Sequence, residues 1–214
     1  MRKSLNSYSN REELINVITH GLGALLSIVA LVFLILKALE MGTNIALFSM
    51  LVYGISLIIL YTASTLYHSA SIQKWRDPLN VWDHISIYLL IAGSYTPFTL
   101  LALPPIWGYS IFAIVWAFAL VGIIIKVFYF GKYRTLSAIA YVIMGWIAVT
   151  AVSPLIDSLS LEGAIWLFSG GIAYTIGAIL YLLDNKLKYN HAIFHVFVLI
   201  GSLCHFISVY YFIN

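Results

Sequence analysis

The chain has 214 residues, of which 62% are hydrophobic and only 9% charged, with a formal net charge of +3. A soluble domain carries about 25% charged residues, so composition excludes an ordinary soluble fold. The small charge, with no basic stripe interleaved with aromatics, excludes nucleic acid as a partner, and the single cysteine, Cys204, cannot form an internal disulfide.

The opening "MRKSLNSYSN" is polar, and residues 1–12 read as a cytoplasmic tail. The first apolar run, Leu14 to Leu36, exceeds the roughly 7–15 residues of a signal-peptide core and is followed by further runs, so it reads as a span. Seven apolar stretches follow in order, at about 15–37, 44–67, 83–103, 107–127, 136–156, 163–183 and 192–213. Each is near the roughly 20 residues that a helix needs to cross a bilayer. The runs are continuous rather than alternating, which argues against membrane strands. The expected fold is therefore all-α: residues 13–214 form a single seven-helix membrane domain of a multi-pass plasma-membrane protein. Pro97 predicts a kink in the third span. Pro104 and Pro105 mark a tight turn before the fourth, and "SGGIAYTIGA" in the sixth predicts a close helix–helix contact.

Positive charge sets the orientation. Arg2, Lys3 and Arg11 precede the first span, Lys74 and Arg76 precede the third, Lys126, Lys132 and Arg134 surround the end of the fourth, and Lys186 and Lys188 precede the seventh. Of the 11 Lys and Arg residues, only Lys37 falls on the opposite side. The N-terminus is expected in the cytoplasm and the C-terminus outside.

That orientation brings polar residues to one depth. His20 lies in the first turns of span one, His68 ends span two, Asp83 and His84 open span three, and His191 and His195 open span seven. All face the cytoplasmic leaflet, where intramembrane ionisable groups point to function. His205 lies about 15 Å deeper than His195 and reads as a satisfied interior histidine. His191 and His195, four apart, share one helix face. With His68 they offer three nitrogens, the usual donor set of a catalytic zinc site with one open position. Asp83 can orient or deprotonate a water there, and Ser64, one turn before His68, can bond that water, a substrate oxygen or the carbonyl four residues back. Other roles fit each residue alone. The His pair can face headgroups, Asp83 can cap a helix, and Ser64 can pack or bond its own backbone. The shared depth favours one metal site.

Ser64–His68 as SxxxH, Asp83 at the start of span three, His191–His195 as HxxxH, "NVITHGLG" and "DHISIYLLIAGSYTPF" together resemble the progestin and adiponectin receptor family, and in particular its bacterial branch, hemolysin III. The likeness runs from about residue 12 to the end of the chain. It implies zinc held by His68, His191 and His195, a water-holding Asp83 and a supporting Ser64. His20 and His84 fall outside that set and remain second-shell or packing candidates. The chain lacks the long cytoplasmic domain of the adiponectin receptors, so their signalling partners do not carry over.

The family is associated with ceramide hydrolysis, with membrane-fluidity homeostasis and, by name, with cytolysis. The expected function is a zinc-dependent hydrolase of a lipid amide or ester, with membrane lipids as partners. The alternatives are a membrane-state sensor stapled by zinc and, with the least support, a pore-forming cytolysin. The sequence carries no sign of oligomeric state.

Overall fold

A capping box starts the first helix. Ser9 Oγ accepts from the Glu12 backbone N–H at 3.3 Å, and Glu12 Oε2 accepts from the Ser9 backbone N–H at 2.9 Å. The helix, α1 (Asn10–Met41), ends at Gly42, whose φ of 68° lets its N–H close on the carbonyls of Ala38 and Leu39. The capping box thus draws residues 10–12 into the helix.

The computed structural model describes residues 8–129, 132–183 and 188–213. Residues 1–7 of the tail, with Arg2 and Lys3, and Lys186 lie outside the described residues, as does the side chain of Arg134. Beyond α1 come α2 (Asn44–Ser69), α3 (Gln73–Pro97), α4 (Pro105–Phe128), α5 (Arg134–Gly145), α6 (Val152–Leu182) and α7 (Asn190–Phe212). Among the described residues all regular structure is helical, and six helices are long and apolar enough to cross a membrane. Each helix packs on its neighbours in the chain, and α7 returns to α1 to close the ring. The outer surface exposes large apolar side chains such as Leu25, Val29, Ile106, Val121, Leu161 and Ile172. Such a surface suits lipid rather than water. The chain is a polytopic helical membrane protein.

Three departures from the expected spans matter. First, α3 begins at Gln73, ten residues before Asp83. Asp83 is therefore well inside a helix whose N–H groups are already bonded, and the capping role is excluded. Second, Pro97 does not simply kink the span. The chain passes into a π-helical turn, Phe98–Ala102, closed by Leu103 N–H on Phe98 O at 2.9 Å. Third, no loop separates the two stretches expected at 136–156 and 163–183: the segment Thr135–Leu182, 48 residues in all, runs on through a kink between two helices at Ser160. Laid straight it would measure about 72 Å, more than twice the hydrocarbon thickness. It is interrupted by a 3-10 turn, Ile147–Ala151, and by Ser160, whose φ of 65° and ψ of 166° are not helical.

The expected close contact of the sixth span is present. A Cβ on Gly170 would strike the His205 ring, and one on Gly201 would lie 2.8 Å from the Tyr174 ring, so α6 and α7 approach as closely as they do only because both positions lack side chains. The core is laced by hydroxyls. Tyr61 donates to Ser202 Oγ at 2.6 Å, Tyr174 pairs with the same oxygen at 2.8 Å, and Tyr53 donates to the Ser202 carbonyl at 3.3 Å. The break after α5 is satisfied from α3. Tyr95 Oη donates to Gly145 O at 2.7 Å and accepts from Ala148 N–H at 2.9 Å. Backbone groups freed inside a membrane need such partners. Tyr95→Phe strands both, and should destabilise the detergent-solubilised protein by about 1–3 kcal/mol. A thermal midpoint equal to wild type would contradict this account of the break.

Candidate metal centre

The last turn of α2 carries His68, and the first turns of α7 carry His191 and His195. All three are buried, at 3%, 7% and 1% exposure. One ring nitrogen from each lies within 4.8 Å of the others. The helical spacing of four places His191 and His195 on one face, with ring centroids 4.7 Å apart. His68 reaches them across the α2–α7 interface, its Nε2 3.3 Å from His191 Nε2.

That distance fits a metal, and the third nitrogen lies within 4.8 Å of the other two. Ligands held tetrahedrally at about 2.05 Å sit about 3.3 Å from one another. His68 Nδ1 lies 2.7 Å from Glu13 Oε2. A carboxylate only accepts, so Nδ1 carries the proton and Nε2 keeps its lone pair for a ligand. The Asn16 amide lies 3.4 Å from the same Nδ1. The Thr19 hydroxyl donates to Ile15 O at 2.8 Å and Asn16 O at 3.0 Å, so its oxygen is free to accept from His195 Nδ1 at 3.3 Å. His195 is thereby also left with Nε2 as its lone-pair nitrogen. Neutral imidazoles are what a divalent transition metal requires, and His68 and His195 are each held through the far nitrogen.

His20 lies flat against His195, with centroids 3.5 Å apart and planes 11° from parallel, and meets Tyr61 edge-on. It belongs beside the cluster but not to the set of three. Neither of its nitrogens has a hydrogen bond among the described residues. On the other side, Tyr8 stacks on His191 at 4.8 Å and tilts toward His68 at 5.9 Å.

Below the cluster is a cavity of about 120 Å³ whose walls include His20, Ser64, Asp83, His84, His191 and His195, and are otherwise mainly apolar. Ser64 is 1% exposed, and its hydroxyl makes no hydrogen bond among the described residues, so the bond to the carbonyl four residues back is not formed. Asp83 is half-buried on the same wall and lies outside the group of converging nitrogens. Its Oδ2 is 3.9 Å from His84 Nδ1. His84 is otherwise engaged, with Nδ1 on Asn80 O at 2.8 Å and Nε2 on Tyr181 Oη at 3.0 Å. His205 stands apart, as its depth implied. Its Nε2 donates to Leu167 O at 3.2 Å, and it borders both this cavity and a second of about 30 Å³ that shares Tyr95 and Trp146 as walls.

Glu13, Asn16, Thr19 and Tyr8 were not anticipated from the sequence. A signal was present for two of them. Glu13, Asn16, His20, Gly23 and Ser27 recur every three or four residues along an otherwise apolar helix, and the last four are buried. This is a polar face turned inward.

Fold and cluster together define a polytopic helical membrane protein with a buried three-histidine group able to hold a metal ion. The sequence pattern described as Haemolysin-III related matches residues 8–206. The chain belongs to this family. It is 45% identical to Hemolysin-3 of Bacillus cereus over 203 residues, covering 95% of this chain and 92% of the relative. It is likewise 45% identical to the Hemolysin-3 homolog of Bacillus subtilis (strain 168) over 205 residues, 96% of each. A more distant relative is human Monocyte to macrophage differentiation factor, 28% identical over 165 residues, 74% of this chain and 68% of the relative. It fits the wider progestin and adiponectin receptor family.

If the three nitrogens hold one ion, elemental analysis of the purified protein should find about one divalent transition metal per chain, and His68→Ala, His191→Ala and His195→Ala should each lose it. Retention in all three variants would refute a shared site.

Proposed function

We propose that this protein is a zinc-dependent hydrolase of a lipid amide or ester, working at the cytoplasmic leaflet. The observation that carries this is the composition of one cavity. Converging histidine nitrogens, a carboxylate and an unbonded hydroxyl share a space otherwise lined by apolar side chains. His68, His191 and His195 would hold the ion. When bound, zinc supplies Lewis acidity and makes water acidic enough to serve as a nucleophile near neutral pH.

The remaining chemistry belongs to the chain. The apolar walls take an acyl chain and exclude bulk water from the reacting carbonyl. Ser64 Oγ donates to the carbonyl oxygen as charge grows there. Asp83 takes a proton from the attacking water at a carboxylate oxygen. The water oxygen bonds to the carbonyl carbon, the C–N or C–O bond breaks, and Asp83 returns the proton to the departing amine or alcohol. The products are a fatty acid and an amine or alcohol.

The same reading places the chain in the plasma membrane with seven crossings. The 48-residue run counts as two, reversing near Ser160, and the N-terminus is cytoplasmic. Reporter fusions should place the two termini on opposite faces. Termini on one face would overturn the topology.

A second reading, a membrane-state sensor in which zinc is a structural staple between α2 and α7, is favoured by the position of Asp83, whose nearest ionic neighbour is His84 rather than the cluster. The two readings part on one variant. In the hydrolase, Asp83→Asn lowers metal-dependent release of fatty acid from ceramide or related lipid amides and esters by at least about 100-fold while metal is retained. In a staple, Asp83→Asn is mild and only loss of a histidine destabilises. Absence of release by zinc-loaded wild type across a broad lipid panel would sink the hydrolase. A pore draws little support, because the walls of this cavity are mainly apolar.

A further inference from the structure

Two glutamates open α1, and they face different partners. Glu12 belongs to the capping box, and its Oε1 accepts from Tyr189 N–H at 2.9 Å, just ahead of α7. Glu13 turns inward. One carboxylate oxygen accepts from His68 Nδ1 and the other from the Arg76 guanidinium on α3. Its side chain is only 17% exposed, and that of His68 is fully buried. Capping explains Glu12. It does not explain a second carboxylate committed to a histidine ring and an arginine from two other helices.

We propose that Glu13 is the positioning residue for the metal ligand His68. This role rests on the reading of the three histidines as a metal site. A buried imidazole can present either nitrogen by turning about its Cβ–Cγ bond. A carboxylate at 2.7 Å removes that choice. It fixes the proton on Nδ1, aims Nε2 at His191, and adds electron density to the donor nitrogen. The partner of His195, the Thr19 hydroxyl, is neutral and offers orientation without charge. Arg76 donates to the other carboxylate oxygen. Its own guanidinium is fixed by Ala70 O at 3.0 Å and lies 4.8 Å over the Tyr67 ring. Arg76 precedes Asp83 by seven residues on the same helix, about two turns. The Glu13 carboxylate therefore links a ligand on α2 to the helix that carries the carboxylate of the cavity.

The test uses the full-length protein in detergent, stripped of metal by chelation, as wild type and Glu13→Gln. Glutamine keeps the shape and an acceptor oxygen but loses the charge. Zn²⁺ affinity is read by competition with a chromophoric chelator, the ligand field by the visible absorption of the Co²⁺-loaded protein, and stability by the thermal midpoint of the stripped protein. Positioning requires Glu13→Gln to weaken Zn²⁺ binding by about 10–100-fold and to shift the Co²⁺ bands, with the midpoint of the stripped protein unchanged. Unchanged affinity and spectrum would overturn it, and so would a lowered midpoint with unchanged affinity, which would make Glu13 a tie between helices only. Arg76→Gln is the second variant, informative even if Glu13→Gln misfolds. It cuts the link to α3 but leaves the carboxylate on His68, so affinity stays near wild type, and a loss as deep as that expected for Glu13→Gln would refute the proposal. No uptake of Zn²⁺ or Co²⁺ by wild type would refute the metal reading itself, and the role of Glu13 with it.

Discussion

A polar group in hydrocarbon must find its partner inside the protein. That constraint organises this molecule more than any single packing contact. The outer surface is largely apolar, so a polar residue within the helices is favoured in the interior. There it settles beside another of its kind. Tyr61, Tyr174 and Tyr53 gather on Ser202, Tyr95 fills the break after α5, and His84 meets Tyr181. The three histidines are the densest case. The far nitrogens of His68 and His195 are drawn to Glu13 and Thr19, and one nitrogen of each of the three converges on the others, an arrangement that is costly until something positive lies between them.

The membrane class, the helical architecture and the membership of the histidine group were legible in the sequence. Each rests on a quantity that residue order carries directly, namely apolar run length, the spacing of four between His191 and His195, and common depth from charge bias. What was not legible depends on geometry between helices. Asp83 looked like the start of a span because the apolar run begins there. In fact α3 starts at Gln73, with polar residues such as Lys74, Arg76 and Asp77 in helical turns ahead of the apolar run. The stretches at 136–156 and 163–183 looked like two separate helices. They are two helices, but no polar loop lies between them, because the kink is made at Ser160 by a single residue of positive φ. Glu13 belongs to no motif, and its contacts form only when α2 and α3 are brought alongside α1.

The same constraint bears on how the candidate site is specified. The polar face of α1, from Glu13 through Asn16 to His20, supports the histidines of two other helices without belonging to the set of three. A family resemblance transfers the three histidines, Asp83 and Ser64. The supporting residues come into view only with coordinates. This is why the site is better described as the meeting of three helices than as a pair of motifs.

The separation of the ligands along the chain has a consequence for biogenesis. His68 and His191 are 123 positions apart, on the second and the last helix. At about 5–20 residues per second, the ribosome needs roughly 6–25 s to make what lies between them. Through that interval His68 sits in the bilayer with neither of its histidine partners. Glu13, made before it on α1, is already there. The earliest helical hairpin thus carries a hydrogen-bond partner for His68 and can wait for the last helix, and an ion held by all three histidines would mark a completed chain.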